Sequence, residues 1–313
     1  MGCQICKNQS TLVLKEKYNE YSLWECPLCA GQFWTPMKNP GAEWYEKDAR
    51  YSFRNRNPLK TPEFNHREFL KDRPAPGGKI LDIGMGTGNF LNAAAAAGYQ
   101  THGIDFDTDA IQAAKDFFKL KNVYPLSVDE AISKFGEQYF DCLTMFEVLE
   151  HMEDPSAAIE KNKKLLKIGG HLGISVPYRK SSELFKAHDK PPRHLTRWDE
   201  KSMENFLKNH GFEIQRIKAL NVPFAYIITK YHFWYQNIFS FRFVEKVANR
   251  ETKKRETGVK SGIGGSLKIN ILQKLARLKD YLIFSVPAAF LYLKLALTRK
   301  RGLTLYVLAR RIS

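Results

Sequence analysis

The chain has 313 residues, 43% of them apolar, which suits one or two domains with a sizeable buried core. No charged-then-apolar leader, internal repeat or low-complexity tract is present, which argues against a secreted, solenoid or disordered protein and for a cytoplasmic one. The formal net charge is +16, yet 20 of the 49 Lys and Arg and only 4 of the 33 Asp and Glu lie after residue 214. The first two thirds are therefore neutral. The basic excess sits in the last third, among large apolar side chains, a mixture that suits an anionic partner: a membrane surface, a lipid-linked phosphate or nucleic acid.

Residues 1–35 hold Cys3-x-x-Cys6 and Cys26-x-x-Cys29, separated by 19 residues. Each knuckle offers two thiolates at one turn, and the pair reads as a zinc ribbon with four cysteine ligands in a tetrahedron. Four thiolates leave no open coordination position, so the expected role is structural. Two disulfides are the alternative, but nothing else points to an oxidising compartment. Cys142, in a predicted buried strand, reads as a small core residue. Gly2 fails as a myristoylation site because position 6 is Cys.

Residues 36–78 read as a helical linker, with Trp44, Tyr45 and Tyr51, closed by Pro58, Pro62, Pro74 and Pro76. Tyr45 and Tyr51 read either as a lid over a ligand or as plain core packing.

From residue 79 onward, apolar runs alternate with helical patterns, which implies an α/β domain with a largely parallel sheet. Strands are predicted at 79–83, 101–104, 123–127, 140–145, 170–176, 212–219 and 303–310. Helices are predicted at 88–97, 108–118, 129–135, 155–166 and 199–210. The first strand ends in Asp82 and breaks into Gly84, Gly86 and Gly88, a tight turn that opens a helix and lets a ligand approach the backbone closely. Asp105 follows Gly84 by 21 residues, at the end of the second strand, where a carboxylate can accept hydrogen bonds from both hydroxyls of a ribose.

The G-x-G-x-G spacing departs from the G-x-G-x-x-G that seats a pyrophosphate. Asp82 before it would repel a diphosphate and attract an ammonium. With GIDFD at 103–107, FDCLTMFEVLEHMEDP at 140–155 and LLKIGGHLGISVP at 165–177, the chain resembles class I S-adenosylmethionine (SAM)-dependent methyltransferases, in particular those of ubiquinone and cell-surface metabolites. The resemblance implies a seven-stranded Rossmann-like sheet whose last strand inserts antiparallel. It also implies SAM as cofactor, with Asp82, Gly84, Gly86 and Gly88 at its methionine end and Asp105 on its ribose. Phe106, Val128 and Asp129 would flank the adenine, and Phe146 would lie near the sulfonium. A methyltransferase-fold scaffold without activity is the non-enzymatic alternative, opposed by the intact glycine loop and Asp105.

Two clusters are candidates for the reaction. Glu147, Glu150 and His151 follow the fourth strand, with His151 as a base or as a loop-orienting residue. His194 follows Pro191 and Pro192, with Arg193, Arg197 and Trp198 beside it as brackets for an anionic substrate or as ordinary loop residues. Glu147, Glu150, His151 and His194 together resemble the E-x-x-E-H…H metal set of the small-RNA 3′-terminal 2′-O-methyltransferases. The ubiquinone-pathway enzymes also carry E-x-x-E-H and are linked to magnesium. A divalent ion there would lower the pKa of a substrate hydroxyl. The expected acceptor is a hydroxyl on a small, lipid-linked or sugar-linked metabolite, with RNA as the alternative.

Between the sixth and seventh strands lies an insertion at 221–302, far beyond ordinary loop length. Its 222–244 stretch has ten aromatic side chains, His232 included, in 23 positions. Residues 267–297 show a helical pattern with Pro287 as an expected kink. The apolar stretch Tyr281 to Leu293 is 13 residues, too short to cross a hydrocarbon core of about 30 Å but able to lie in an interface. Peripheral docking on an anionic membrane, a cap over the substrate pocket or a dimer interface, and nucleic-acid binding are the three readings. The density of aromatics among Ile, Val and Phe argues against the last.

Overall fold

The computed structural model describes residues 2–41, 44, 49–185, 189–231 and 282–313; the side chains of residues 49–51 are not described. Elements run in chain order as follows. Strands β1 (Val13–Tyr18), β2 (Tyr21–Glu25) and β3 (Gln32–Thr35) come first. Helices α1 (Ala49–Arg56) and α2 (Phe64–Asp72) precede β4 (Lys79–Ile83), α3 (Asn89–Ala96), β5 (Gln100–Ile104) and α4 (Thr108–Phe118). Then come β6 (Val123–Tyr124), α5 (Val128–Phe135), β7 (Phe140–Phe146), a short 3-10 turn (Leu149–His151) and α6 (Pro155–Lys163). The last elements are β8 (Leu166–Pro177), β9 (Thr196–Arg197), α7 (Glu200–Asn209), β10 (Phe212–Asn221) and β11 (Gly302–Arg311).

The seven-stranded sheet has the order β10-β11-β8-β7-β4-β5-β6. Strands β4, β5, β6, β7 and β8 pair in parallel, while β11 runs antiparallel to β8 and inserts beside it. This is the Rossmann-like methyltransferase sheet expected from the sequence. Side chains alternate across it. Leu81, Ile83, Leu143, Met145, Leu305 and Val307 fall in one buried cluster, and Ile80, Cys142, Phe146, Tyr306 and Leu308 in the other. Cys142 is a core residue, its thiol pushed up to about 12 by burial.

Local chemistry places the helix starts. Asp107 accepts from the Asp109 and Ala110 N–H groups, Asp154 from Ala157, and Asp199 from Ser202. Ser127 and Glu130 cap α5 reciprocally.

Three features differ from expectation. Strand β6 is only two residues long. The second half of the linker is helix α2, beginning directly after Pro62-Glu63, where the Glu63 N–H donates to His66 Nδ1 (3.2 Å). The ribbon also shares its sheet with the rest of the unit. Strands β1, β2 and β3 are joined by β9 in the order β1-β2-β3-β9, with Gln32 opposite Arg197 and Phe33 opposite Thr196. Cys3, Ile5, Cys26, Cys29 and Phe33 pack in the same cluster as Leu81 and Leu143. Residues 1–220 and 302–313 accordingly form one compact unit.

Residues 221–301 form a second unit. Within it, 224–231 and 282–297 are helical, and the Phe224 ring meets that of Tyr292 with centroids 5.6 Å apart. Pro287 lies inside the second helix. Residues 232–281, with most of the aromatic stretch and the start of the expected 267–297 helix, lie outside the described residues. Among the described residues no helix is long and apolar enough to cross a membrane.

Candidate active site

A cavity of about 580 Å³ opens beyond the carboxyl ends of β4, β5 and β7. That is the position where parallel α/β sheets bind ligands, and the volume is that of a small-molecule site. Asp82, Gly84, Gly86, Asp105, Phe106, Val128 and Phe146 all line it, as do Glu147, Glu150, His151 and His194.

At one end, Gly84 and Met85 donate backbone N–H bonds to Ile104 O (2.9 and 3.2 Å), which ties the glycine turn to β5. Gly84 has φ +71°, and a Cβ there would come within 2.6 Å of Val148 Cγ2. Only glycine lets the loops after β4 and β7 approach this closely. Asp105 is buried and accepts from the Gly86 N–H (2.8 Å) and the Asp107 N–H (2.9 Å), so its carboxylate is fixed against the loop. Burial raises its pKa, opposed by those two bonds and by Arg54. Asp82 accepts a 2.7 Å hydrogen bond from Thr144 Oγ1 on β7. Burial pushes its pKa up to about 7, against that bond. Phe106 presents an exposed ring, while Phe146 is buried beside Phe90 (centroids 4.8 Å apart).

Two expected cofactor residues lie outside the cavity lining. Gly88 does not line the cavity. It caps α3 with φ +79°, and a Cβ there would meet Leu120 Cδ1 at 2.6 Å, so glycine is needed for packing. Asp129 points to solvent and pairs with Lys161 (2.8 Å); its neighbours Ser127 and Val128 line the cavity instead.

At the other end, Glu150 is fully buried and neither of its carboxyl oxygens has a hydrogen-bond partner among the described residues. His151 Nε2 lies 3.8 Å and His194 Nε2 4.0 Å from Glu150 Oε1. The opposite nitrogens are anchored: His151 Nδ1 donates to the Arg193 carbonyl (2.6 Å), and His194 Nδ1 bonds Asp189 Oδ1 (3.0 Å). Burial, helped by His194, pulls His151 down to about 3, so the ring is neutral with its proton on Nδ1. Burial and the Glu147 charge hold the Glu150 carboxyl well above the usual range. Imidazoles tied at Nδ1 and turned with a carboxylate toward one point are the arrangement of metal ligands with their supporting bonds. Ligand atoms of Glu150, His151 and His194 all lie within 4.8 Å of one another. Glu147 stays outside this trio. It sits at φ +57° where β7 ends and accepts from Ser175 Oγ (3.1 Å).

Residues 54–217, just over half of the chain, match the family described as Methyltransferase domain. The chain belongs to this methyltransferase family. The ubiquinone biosynthesis O-methyltransferase of Photorhabdus laumondii is 33% identical over 103 residues, 32% of this chain and 42% of that protein. The enzyme of the same description from Proteus mirabilis is 26% identical over 156 residues, 48% of this chain and 61% of its own. The chain thus spans about half the length of the curated relatives it matches. A SAM-dependent methyltransferase from Archaeoglobus fulgidus shares the fold, with a TM-score of 0.51 at 15% identity, covering 84% of this chain and 100% of that one.

The chain also holds a thiol cage in its ribbon. A tetrahedron with metal–sulfur bonds of about 2.3 Å has edges of about 3.8 Å. Here the sulfurs of Cys3 and Cys29 are 3.7 Å apart and those of Cys6 and Cys26 3.9 Å. Backbone N–H groups of Ile5, Cys6 and Gly31 point at the sulfurs of Cys3 and Cys29, each at 3.4 Å. The four cysteines are unbridged, so the disulfide alternative is not what the structure holds. The donor set fits zinc.

Several site residues were not foreseen. Arg54 on α1 lies over the glycine loop, its Cζ 3.7 Å from where a Gly86 Cβ would be. Asn65 and His66 on α2 also line the cavity. His66 is neutral, pulled to about 3 by burial, and stacks obliquely on Phe146 (centroids 4.9 Å apart). These lie in the segment read as a linker, where the prolines hid a helix. Conversely, Trp198 is fully buried with Nε1 donating to Thr196 Oγ1 (2.8 Å), and Arg197 is buried against Glu16 (2.9 Å) and Asp189. Neither lines this cavity. Arg193 does line the cavity, its guanidinium 5.7 Å from the Trp44 ring centroid. Tyr45 and the side chain of Tyr51 lie outside the described residues.

Proposed function

We propose that this methyltransferase moves the methyl group of SAM onto a hydroxyl oxygen of a small, lipid-linked or sugar-linked metabolite. One observation carries the reading: a single cavity joins a carboxylate-flanked glycine turn to a group of the buried Glu150 with the half-buried His151 and His194. The O-methyltransferase relatives favour oxygen as the acceptor atom.

In this reading Asp105 accepts from the ribose hydroxyls, Asp82 receives the α-ammonium and Arg54 the α-carboxylate. Phe106 and Val128 flank the adenine, and Phe146 excludes water beside the sulfonium. The acceptor oxygen attacks the methyl carbon in line as the carbon–sulfur bond breaks, and S-adenosylhomocysteine leaves. Holding the reactants in line supplies much of the acceleration. The hydroxyl proton passes to His194 Nε2, because the Asp189 carboxylate at Nδ1 stabilises the imidazolium that forms. His151 is too weak a base for that role and orients the loop.

A second reading is favoured by the unpartnered oxygens of Glu150. Glu150, His151 and His194 would hold a divalent ion such as Mg²⁺, which would lower the pKa of the acceptor hydroxyl, whether on a metabolite or on RNA. Zinc in the Cys3, Cys6, Cys26 and Cys29 cage would be structural.

Product analysis with isotope-labelled SAM and hydroxyl- or amine-bearing acceptors tests the proposal. Methyl ethers are expected, and exclusively N-methyl products would contradict it. Turnover abolished by EDTA and restored by Mg²⁺ would select the ion-assisted route; EDTA-insensitive turnover would select His194 alone.

A further inference from the structure

Helix 282–297 carries two apolar faces. At about 100° per residue, Leu282, Leu293, Val286, Leu297, Phe290 and Ile283 fall in that order within one arc of about 100°. All six are exposed, Phe290 by 72% and Leu297 by 78%. The opposite arc, Phe284, Ala288 and Leu295, is buried. A surface helix needs only one buried apolar face, so the second calls for a partner. The helix is about 24 Å long at 1.5 Å per residue, so this stripe is continuous over its whole length.

Charge decides which partner. Residues 221–301 carry 16 Lys and Arg against 4 Asp and Glu. Lys294 borders the apolar arc, and Lys300 and Arg299 follow the helix end, all exposed. A second copy of so basic a unit would be repelled, whereas a layer of phosphate headgroups is attracted. The geometry points to an anionic lipid bilayer: the helix lies in its surface with the six apolar side chains among the acyl chains and the lysines and arginines at phosphate level. Docking there would bring the enzyme to acceptors that partition into the bilayer.

The test is flotation of the full chain with phosphatidylcholine vesicles, with and without phosphatidylglycerol. Binding is expected only with phosphatidylglycerol, and it should weaken as salt rises. Phe290→Asp should lower the partition coefficient by about ten-fold or more, because it puts a charge into the apolar stripe. Lys294→Glu should lower it by several-fold, about one headgroup contact. S-adenosylhomocysteine binding reports that the other unit is folded, and far-ultraviolet circular dichroism that each variant keeps its helix content. Failure of the wild type to float with anionic vesicles would overturn the inference. So would unchanged flotation of Phe290→Asp. Self-association abolished by Phe290→Asp without any vesicle binding would assign the face to a second copy instead.

Discussion

Cys26→Ser is expected to empty the ribbon of zinc, to lower the melting temperature by about 10 °C or more, and to cut kcat while leaving the affinity for SAM nearly intact. The stability loss follows from packing. Cys3, Ile5, Cys26, Cys29 and Phe33 belong to the same buried cluster as the central strands. Ser156 Oγ donates to Ile5 O (2.6 Å), and Arg179 Nη1 to Ala30 O (2.6 Å), so the ribbon is tied to the domain from two sides. The kcat loss follows from a short chain of backbone bonds. Trp34 N on β3 donates to Leu195 O (2.8 Å), and Leu195 N donates to Glu150 O (2.7 Å). His194 immediately precedes this junction, and β9 immediately follows it. A ribbon that loses its cage loosens the segment that aims His194, while the glycine turn and Asp105 stand on other strands. Zinc analysis, thermal melts and a separation of kcat from KM check the three parts. A variant with the wild-type melting temperature and turnover would remove the ribbon from the account.

Glu150→Gln is the second large effect. The amide keeps the shape but cannot ionise, so kcat should fall by about 100-fold or more if the carboxylate holds an ion or orients the imidazoles. The protein should nevertheless melt no lower than wild type in the presence of EDTA. Without an ion, burial keeps this carboxyl from ionising, so the amide replaces one uncharged group of the same shape by another, and neither has a hydrogen-bond partner among the described residues. A variant that is both inactive and unstable would show Glu150 to be a packing residue. One that is active and stable would remove it from the chemistry.

Much of this was legible in the sequence because the signals were local. The strand ending at Asp82, the glycines after it and the acid at 105 form a turn whose geometry the residue types dictate. What was hidden depended on distant contacts. Strand β9 is two residues long and exists because β3 pairs with it, so no periodicity marks it. Helix α2 follows Pro62 and has Glu63 at its N-cap, outside the usual capping residues, so punctuation outweighed its apolar pattern. Gly88 and Asp129 carry the family spacing, yet Gly88 packs toward Leu120 and Asp129 pairs with Lys161, contacts that the spacing does not mark. Arg197 and Trp198 read as exposed recognition residues because their partners Glu16 and Thr196 are set by the ribbon sheet.

Calorimetric titration with S-adenosylhomocysteine tests the central claim most directly. One site per chain is expected at pH 7.5, with affinity falling as pH drops through 7. The sign follows from Asp82, whose pKa is raised to about 7: it must ionise to receive the ammonium, and each pH unit below costs up to about ten-fold. Asp105→Ala should weaken binding by about 10- to 100-fold, the loss of one or two charge-assisted hydrogen bonds. Absence of heat with the wild type, or unchanged affinity in Asp105→Ala, would contradict the assignment of this cavity to the methyl donor.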